Sequence, residues 1–329
     1  MIMTRAPTKP CRRNPLPMDA TDNIFDALDH ADDGIRMVSL VFNVTLYSDR
    51  SFRYEHESVM RVFEKYFEIC PTDKFSYYAT TNMRKHRAIG KRTFGTLASW
   101  MKPGAPRRAD MDLELKDGDV YQDAPKFKFS VAAREEGSVG HEKKNANVIS
   151  MSFPPDFLGP ERAARFVREV CDAFPFQSGI AGYCLECSRY DKHQSEMAAY
   201  DLTKRFEAID ICRLPHDSIA VGQDGMKGAN WITLLSHDFA KRLGLDGEAT
   251  ELTSRGVRVT ESKHGYILTA GEIPILGDTE RNEDSTLLAE VFGFIEPLVR
   301  ISANRSPSFN LLNDYVEKTK NWFTRFSDS

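Results

Sequence analysis

The chain has 329 residues, a formal net charge of -4 and a pI near 6.1; 41% of its residues are hydrophobic and 28% are charged. This balance is typical of a globular protein with a sizeable core, and it excludes the strong basic excess of a general nucleic-acid binder. No apolar run approaches the roughly 18 residues that cross a bilayer, and no apolar segment follows the first positive charges as in a secretory signal. We therefore expect a cytoplasmic protein that makes no contact with a membrane.

Residues 1–34 are predicted to form a charged, flexible tail ahead of the ordered body. The first half of this tail is basic and rich in proline, whereas six Asp and no Lys or Arg occur between Asp19 and Asp33. Ile24, Phe25 and Leu28 are spaced to form one short apolar helical face. The pattern leaves two interpretations open: a segment that docks on its own domain, and a mobile acidic arm.

An N-terminal α/β lobe is predicted over residues 35–140. The run from Met37 to Tyr47 is rich in β-branched and aromatic residues and predicts a buried strand. Apolar residues at helical spacing follow, and Pro71 ends that helix. From Ala109 to Ala133, two runs of alternating apolar and polar residues flank an Asp-Gly turn. They predict an antiparallel pair in which each strand has one solvent-facing side.

A C-terminal α/β lobe is predicted over residues 141–329, after a polar, glycine-containing linker near 135–146. Strands are predicted at "NVISMSF" and "SGIAGYCLECS", a helix begins at Pro160, and a hairpin covers Val257 to Gly271. Two more amphipathic helices follow. The predicted fold class is α+β, with mixed, largely antiparallel sheets flanked by helices and two lobes in one compact body.

The sequence lacks the common catalytic signatures, namely the phosphate-binding and dinucleotide-binding glycine loops, H-E-x-x-H and G-x-S-x-G. Six cysteines in a chain of this length are too sparse for a disulfide scaffold. Cys184 and Cys187, with Cys212 and two histidines downstream, lack the second close pair of a zinc site, and residues i and i+3 of a strand point to opposite faces. We expect neither a metal nor a cofactor. The enzymatic alternative is a hydrolase or nucleotide-handling enzyme that uses dispersed carboxylates and His237.

Acidic residues concentrate in two places. From Asp110 to Asp123, six acidic residues face one Lys, a local charge of -5. They form either a solvated strand face, paired across the hairpin with Lys126 and Lys128, or a surface that attracts a basic partner. A second cluster fits either a binding surface or the acidic first turn of a helix. The candidate binding residues are Asp110, Asp112, Glu114, Asp117, Asp119, Asp278, Glu280, Glu283 and Asp284.

The stretch "KGANWITLLS", Lys227 to Ser236, predicts a rigid corner at the start of a strand. Gly228 is expected to supply a positive φ or a close approach, Asn230 a local hydrogen bond to the backbone, and Trp231 a core anchor. Other residues with an expected structural role are Gly271, Pro274, Gly277 and Trp322.

Several motifs together resemble the type VI immunity family associated with VRR-nuclease effectors. They are "GYC" (Gly182 to Cys184), "RFEAIDI" (Arg205 to Ile211), "KGANWITLLS", "LGLDG" (Leu243 to Gly247), "GYILTAGEIPILGD" (Gly265 to Asp278) and "WFTRF" (Trp322 to Phe326). The resemblance implies a cytoplasmic protein that binds and silences one cognate secreted toxin, a nuclease. It implies no catalysis and no cofactor, and the acidic net charge leads us to expect no direct binding of nucleic acid.

An acidic surface suits a basic DNA-binding cleft, because carboxylates there take the place of phosphates. A further alternative to this interpretation is an orphan immunity protein or a structural partner of the secretion machinery, without an adjacent nuclease.

Overall fold

The computed structural model describes residues 25, 28–81, 83–102, 105, 110–134, 147–212, 225–300 and 309–327. The strands within these residues are β1 (His30–Asp32), β2 (Ile35–Ser48), β3 (Tyr77–Thr80), β4 (Arg87–Ala88), β5 (Asp110–Lys116), β6 (Lys128–Arg134), β7 (Asn147–Phe153), β8 (Ser178–Cys187), β9 (Asp210–Cys212), β10 (Ile232–Ser236), β11 (Val257–Ser262) and β12 (Gly265–Ala270). The helices are α1 (His56–Ile69), α2 (Gly95–Trp100), α3 (Pro160–Ala173), α4 (Lys192–Thr203), α5 (His237–Arg242), α6 (Leu245–Ser254), α7 (Thr286–Ile295) and α8 (Tyr315–Phe323).

All twelve strands belong to one sheet, in the order β11-β12-β10-β8-β2-β7-β6-β5-β3-β4, with β1 paired to β2 and β9 to β8. The pairs are antiparallel except β8 with β9, which are parallel. The predicted α+β class with largely antiparallel strands is therefore confirmed. The predicted boundary near residue 140 falls between β6 and β7, which are hydrogen-bonded neighbours. The division into two lobes stays a prediction.

One face of β2, β5, β6 and β7 forms the largest apolar core. Alternate residues of these strands, such as Val44, Leu115, Phe129 and Met151, are fully buried together. Helices α1 and α3 cover this face, and their apolar stripes supply the other half of the core. Tyr66 of α1 packs among the core rings and donates its hydroxyl to the carbonyl of Ser152 at 3.0 Å. The strict alternation places polar residues on the opposite face of the same strands.

The glycine-rich corner before β10 fits against β8. Gly228 has a φ of +151°, and Trp231 is only 2% exposed, with its ring edge against Phe42. The side chain of Asn230 accepts from the N–H of Trp231 at 2.7 Å and donates to the carbonyl of Tyr183 at 3.2 Å. A β-carbon at Gly182 would lie 2.0 Å from Oδ1 of Asn230. The corner and the strand can therefore approach this closely only because residue 182 has no side chain.

The last residues of the predicted tail lie on the body. Leu28 is buried in a second core with the aromatic ring of Tyr183, and Phe25 packs against that ring. Asp29 accepts from the backbone N–H of Leu40 at 3.1 Å and pairs with Lys126 at 2.7 Å. Of the two interpretations, docking thus holds for this short segment; residues 1–24, including Ile24 of the predicted apolar face, lie outside the described residues.

We predict that Gly182→Ala lowers the free energy of unfolding by about 2–4 kcal/mol, because the new methyl group collides with the Asn230 side chain. In an Asn230→Ala background the same substitution should cost less, with a coupling of about 1–3 kcal/mol in a double-mutant cycle measured by urea unfolding. Gly228→Ala is the matched control, since it has a similar φ but no atom within 4 Å of the added carbon. Strictly additive effects would show that the close approach to Asn230 has no energetic role.

Candidate functional site

The polar face of the sheet is buried. On this face, residues that pair across β5, β6, β7, β2 and β8 lie side by side. Examples are the pairs Lys116 and Lys128, Lys128 and Ser152, and Ser39 and Glu186. Its buried polar side chains are Ser39, Asn43, Thr45, Glu114, Lys116, Lys128, Ser130, Ser150, Ser152 and Glu186. The prediction of one solvent-facing side for β5 and β6 is therefore wrong, because segments from elsewhere in the chain cover that side.

Lys128 lies at the centre of this face and is 3% exposed. Its ammonium forms an ion pair with the carboxylate of Glu186 and donates to Sγ of Cys212 at 3.2 Å. Burial lowers the pKa of Lys128, but Cys212 and Glu186 outweigh it and raise the pKa above its ordinary value. The hydroxyl of Ser152 donates to the same carboxylate at 2.6 Å. The cross-strand partner predicted from sequence, an acidic residue of β5, is therefore replaced by Glu186 of β8.

A second charged cluster surrounds Glu114 of β5. One carboxylate oxygen lies 2.7 Å from Nε2 of His86 and the other 2.9 Å from the guanidinium of Arg189. Tyr190 completes the cluster, with its hydroxyl 2.8 Å from Nδ1 of His86. Burial raises the pKa of Glu114, but Arg189 and His86 overcome this effect and hold the pKa well below its ordinary value. Glu114 is thus a buried, ionised carboxylate with two partners.

A cavity of about 410 Å³ lies over these two clusters. Its floor is the polar face of the sheet, and its walls come from the segment before β4, the segment after β8 and one side of α4. The lining residues are Ala79, Met83, Arg84, Lys85, His86, Glu114, Lys116, Asp123, Pro125, Lys128, Glu186, Cys187, Ser188, Arg189, Tyr190, Lys192, Ser195, Glu196, Ala199, Ile211, Cys212 and Phe309. The cavity therefore combines buried charges with a few apolar contacts.

The first predicted acidic cluster is not one surface. Glu114 is buried, and Asp112 forms two hydrogen bonds with Arg134, at 2.7 and 3.1 Å. Asp117 accepts from the N–H groups of two residues of the following loop, and burial raises its pKa. Asp110 is half-buried, whereas Asp119 is exposed. Local pairing and backbone capping therefore use most of these carboxylates.

The second predicted acidic cluster is not one surface either. Asp278 is 2% exposed, and Arg205 donates to it at 2.8 and 2.7 Å, which holds the pKa of Asp278 below its ordinary value. Glu280 is exposed and pairs with the same guanidinium. Glu283 and Asp284 are exposed; Asp284 accepts from the N–H of Thr286, the first residue of α7, at 2.9 Å. The helix-start interpretation thus describes Asp284, while Glu280 and Glu283 face solvent.

Sequence reasoning missed an acidic groove of about 440 Å³ between α6 and α7. Glu248, Glu251, Glu290 and Glu296 line it with a single Arg255, around the apolar side chains Leu252, Phe292, Phe294 and Phe326. Arg255 pairs with two of these acids, Glu251 and Glu290. A signal was present in the sequence, because residues 246–296 contain eleven Asp and Glu but four Lys and Arg. The acids are scattered over 51 residues, and only the fold brings four of them to one groove.

Two alternatives considered from the sequence were an enzyme that uses His237 and a metal site, and the cavity supports neither of them. His237 is exposed at the start of α5, beside the ring of Tyr266, and it does not line the cavity. Within the described residues, no group of three His, Cys, Asp or Glu is arranged to hold a metal ion. His216, one of the two downstream histidines, lies outside these residues. No helix of the described part is long and apolar enough to cross a membrane.

The other residues for which the sequence predicted a structural role lie in closely packed parts of the structure. Gly271 and Gly277 have positive φ values, and a β-carbon at Gly277 would lie 2.7 Å from the backbone nitrogen of Ala208. Pro274 is half-buried between them. Trp322 is buried in α8 beneath the guanidinium of Arg325, which lies 4.5 Å from its ring centre.

Comparison with known proteins identifies a family for the chain and a solved structure with a similar fold. The sequence model of the family described as "TsiV: Type VI immunity for VRR-NUC" matches residues 58–326. The solved structure of the Pseudomonas aeruginosa T6SS protein PA0821 has a similar fold, with a TM-score of 0.73 and 16% sequence identity, over 91% of this chain and 87% of that one. No curated protein matches the chain. The family match begins well before the motifs that follow Gly179, and it includes the sheet strands on both sides of the cavity.

We predict that Glu114→Gln lowers the free energy of unfolding at pH 7 by about 1–2 kcal/mol, because it removes the charged partner of the buried His86 and of the exposed Arg189. The folded-state pKa of Glu114 is depressed, so its stabilisation is present above the ordinary glutamate pKa and is lost as the pH falls through the folded-state value. Urea unfolding of both proteins between pH 7 and pH 3 should therefore show the difference shrinking in acid. Asp119→Asn, an exposed control in the same segment, should stay within about 0.5 kcal/mol of the parent. If the difference in the free energy of unfolding stays constant with pH, Glu114 is not ionised in the folded protein.

Proposed function

Because the chain belongs to the family of type VI immunity proteins for VRR-NUC, we propose that it binds a cognate VRR-NUC effector and neutralises it by covering its substrate-binding cleft with an acidic surface. The effector in this proposal is a nuclease that acts on DNA in the cytoplasm. The observation that carries the proposal is the family match over residues 58–326, which includes ten of the twelve strands and all the described helices except the first two residues of α1.

The acidic groove between α6 and α7 is the surface that best fits this role. A DNA-binding cleft is positively charged, and carboxylates can occupy it as phosphates would. Glu248, Glu251 and Glu296 are exposed around the groove, and Phe294 is half-buried within it. Charged groups at a rim speed association, while an apolar centre supplies contact energy. The groove offers both features.

The loop before α7 extends this surface. Glu280, Glu283 and Asp284 are exposed there, and the loop leads to Thr286, which lines the groove. Of the residues proposed from sequence, these three and Asp119 remain available for contact. Glu114 and Asp278 are buried and neutralised by arginine, so a partner protein would have to open the fold to reach them.

The enzymatic alternative is weaker. A general acid or base must reach the proton it transfers, and its pKa should lie near the working pH. Glu114 has a depressed pKa and is already bound by His86 and Arg189, whereas His237 lies outside the cavity. We therefore propose a binding protein.

The charge reversal Glu248→Lys with Glu296→Lys should weaken binding to the cognate effector by about tenfold or more and reduce its dependence on salt, because two attractive rim charges become repulsive. The measurements are the dissociation constant by calorimetry at two salt concentrations and the residual nuclease activity on plasmid DNA. Glu64→Lys with Glu68→Lys, two exposed acids of α1, is the matched control and should bind like the parent.

Two experimental results distinguish an error in the proposed contact surface from an error in the proposed function. Unchanged affinity of the groove variant, with full nuclease inhibition, would place the contact elsewhere. If the unmodified protein neither binds nor inhibits the VRR-NUC effector encoded beside it, the proposed function itself is wrong.

A further inference from the structure

The surface around the mouth of the cavity has the opposite charge to the groove. Between Asp73 and Asp110 the sequence contains nine Lys and Arg and no acidic residue. Arg84 and Lys85 of this basic segment are exposed and line the cavity, together with Lys192 at the start of α4. The net charge of -4 for the whole chain conceals this local positive field. Such a field draws anions towards the opening.

The cavity lining has a formal excess of two positive charges. Six Lys and Arg line it, against four Asp and Glu. The carboxylates are already bound: Glu114 by Arg189, Glu186 by Lys128, Asp123 by the backbone N–H groups of the residues before it, and Glu196 by the N–H of Leu311. Glu114 and Glu186 are therefore paired with cations, whereas Asp123 and Glu196 are held by uncharged N–H groups.

Lys116 is a cation inside the cavity that forms no ion pair within the described residues, although the charges of Glu114, Asp117 and Asp123 act on it. It is 2% exposed, and its ammonium donates to the backbone carbonyl of Asp123. The ion pairs among the described residues include neither Lys116 nor the mouth residues Arg84, Lys85 and Lys192. An ammonium has three N–H donors, so two remain for another acceptor. A buried cation in this state is stabilised when an oxyanion joins it.

We propose that the cavity binds a small organic anion whose phosphate or carboxylate group is held by Lys116, with Arg84 and Lys192 at the mouth. The volume of about 410 Å³ falls within the range of small-molecule sites. Met83, Ile211 and Phe309 supply an apolar part of the wall for the remainder of the ligand. The site is independent of the groove, and its ligand need not affect the effector.

The size of the cavity and the burial of Lys116 favour a small ligand over a macromolecule. A nucleic acid or an acidic protein would contact the exposed mouth cations, and its binding would not depend on Lys116. A small anion that enters the cavity would depend on both. This difference makes Lys116 the decisive residue.

The test is calorimetric titration of the full chain, at constant ionic strength, with inorganic phosphate, AMP and glutarate as separate probes. We expect at least one probe to bind saturably, and the stronger of the phosphate and carboxylate arms identifies the head group. Lys116→Met should weaken that binding by about 10- to 100-fold, as expected for the loss of a charge-assisted hydrogen bond. Lys74→Met, an exposed lysine of the same basic segment outside the cavity, should bind like the parent.

Arg84→Ala with Lys192→Ala is a second variant, chosen because both residues are exposed and their loss leaves the core intact; it should weaken binding by about tenfold. The proposal is overturned if no probe binds saturably, or if a folded Lys116→Met protein binds as well as the parent. It is likewise overturned if only an oligonucleotide or an acidic peptide binds. None of these readouts uses the effector, so their failure leaves the proposed function untouched.

Discussion

The neutralisation of charged groups on the polar face of the sheet is the constraint on which much of the described structure depends. Desolvation makes an unpaired charge at such a depth costly, so Lys128 and Glu114 each require a partner from another segment. Lys128 of β6 pairs with Glu186 of β8 and donates to Cys212 of β9. Glu114 of β5 contacts His86 and Arg189. These contacts fix distant segments of the chain over the sheet, and the cavity is the space that they enclose.

The alternation of apolar and polar residues predicted the strands well but not the environment of their polar side. It correctly placed Leu115 and Phe129 in the core, because a period of two assigns residues to faces without reference to the rest of the chain. The polar residues were expected to face water, since a local pattern carries no information on what covers a strand. Glu114 and Asp119 belong to the same acidic run, yet one is buried against Arg189 and the other is exposed.

The pattern of charged residues along the sequence likewise did not show which of these residues the fold pairs or buries. The dense acidic run from Asp110 to Asp123 was the clearest signal in the sequence, but the fold uses most of its carboxylates to pair with arginine and to cap backbone N–H groups. The acids of the groove are widely spaced along the chain and gave only a regional excess of acidic residues over residues 246–296, although α6 and α7 bring them together. The basic segment between Asp73 and Asp110 is contiguous, so its charge could have been found by counting.

The motifs that identify the family occupy the scaffold rather than the proposed contact surface, except for Phe326, which lines the groove. "KGANWITLLS" forms the corner at Gly182, and "LGLDG" ends one helix and begins α6. Glu248, Glu251, Glu290 and Glu296 all lie outside the quoted motifs. A corner locked by Asn230 holds β10, and through it α5 and α6, in a fixed position. A groove held in this way is preorganised, and preorganisation reduces the entropy lost on binding. Family membership can therefore be read from residues that build the frame, while the choice of partner depends on side chains that the frame displays.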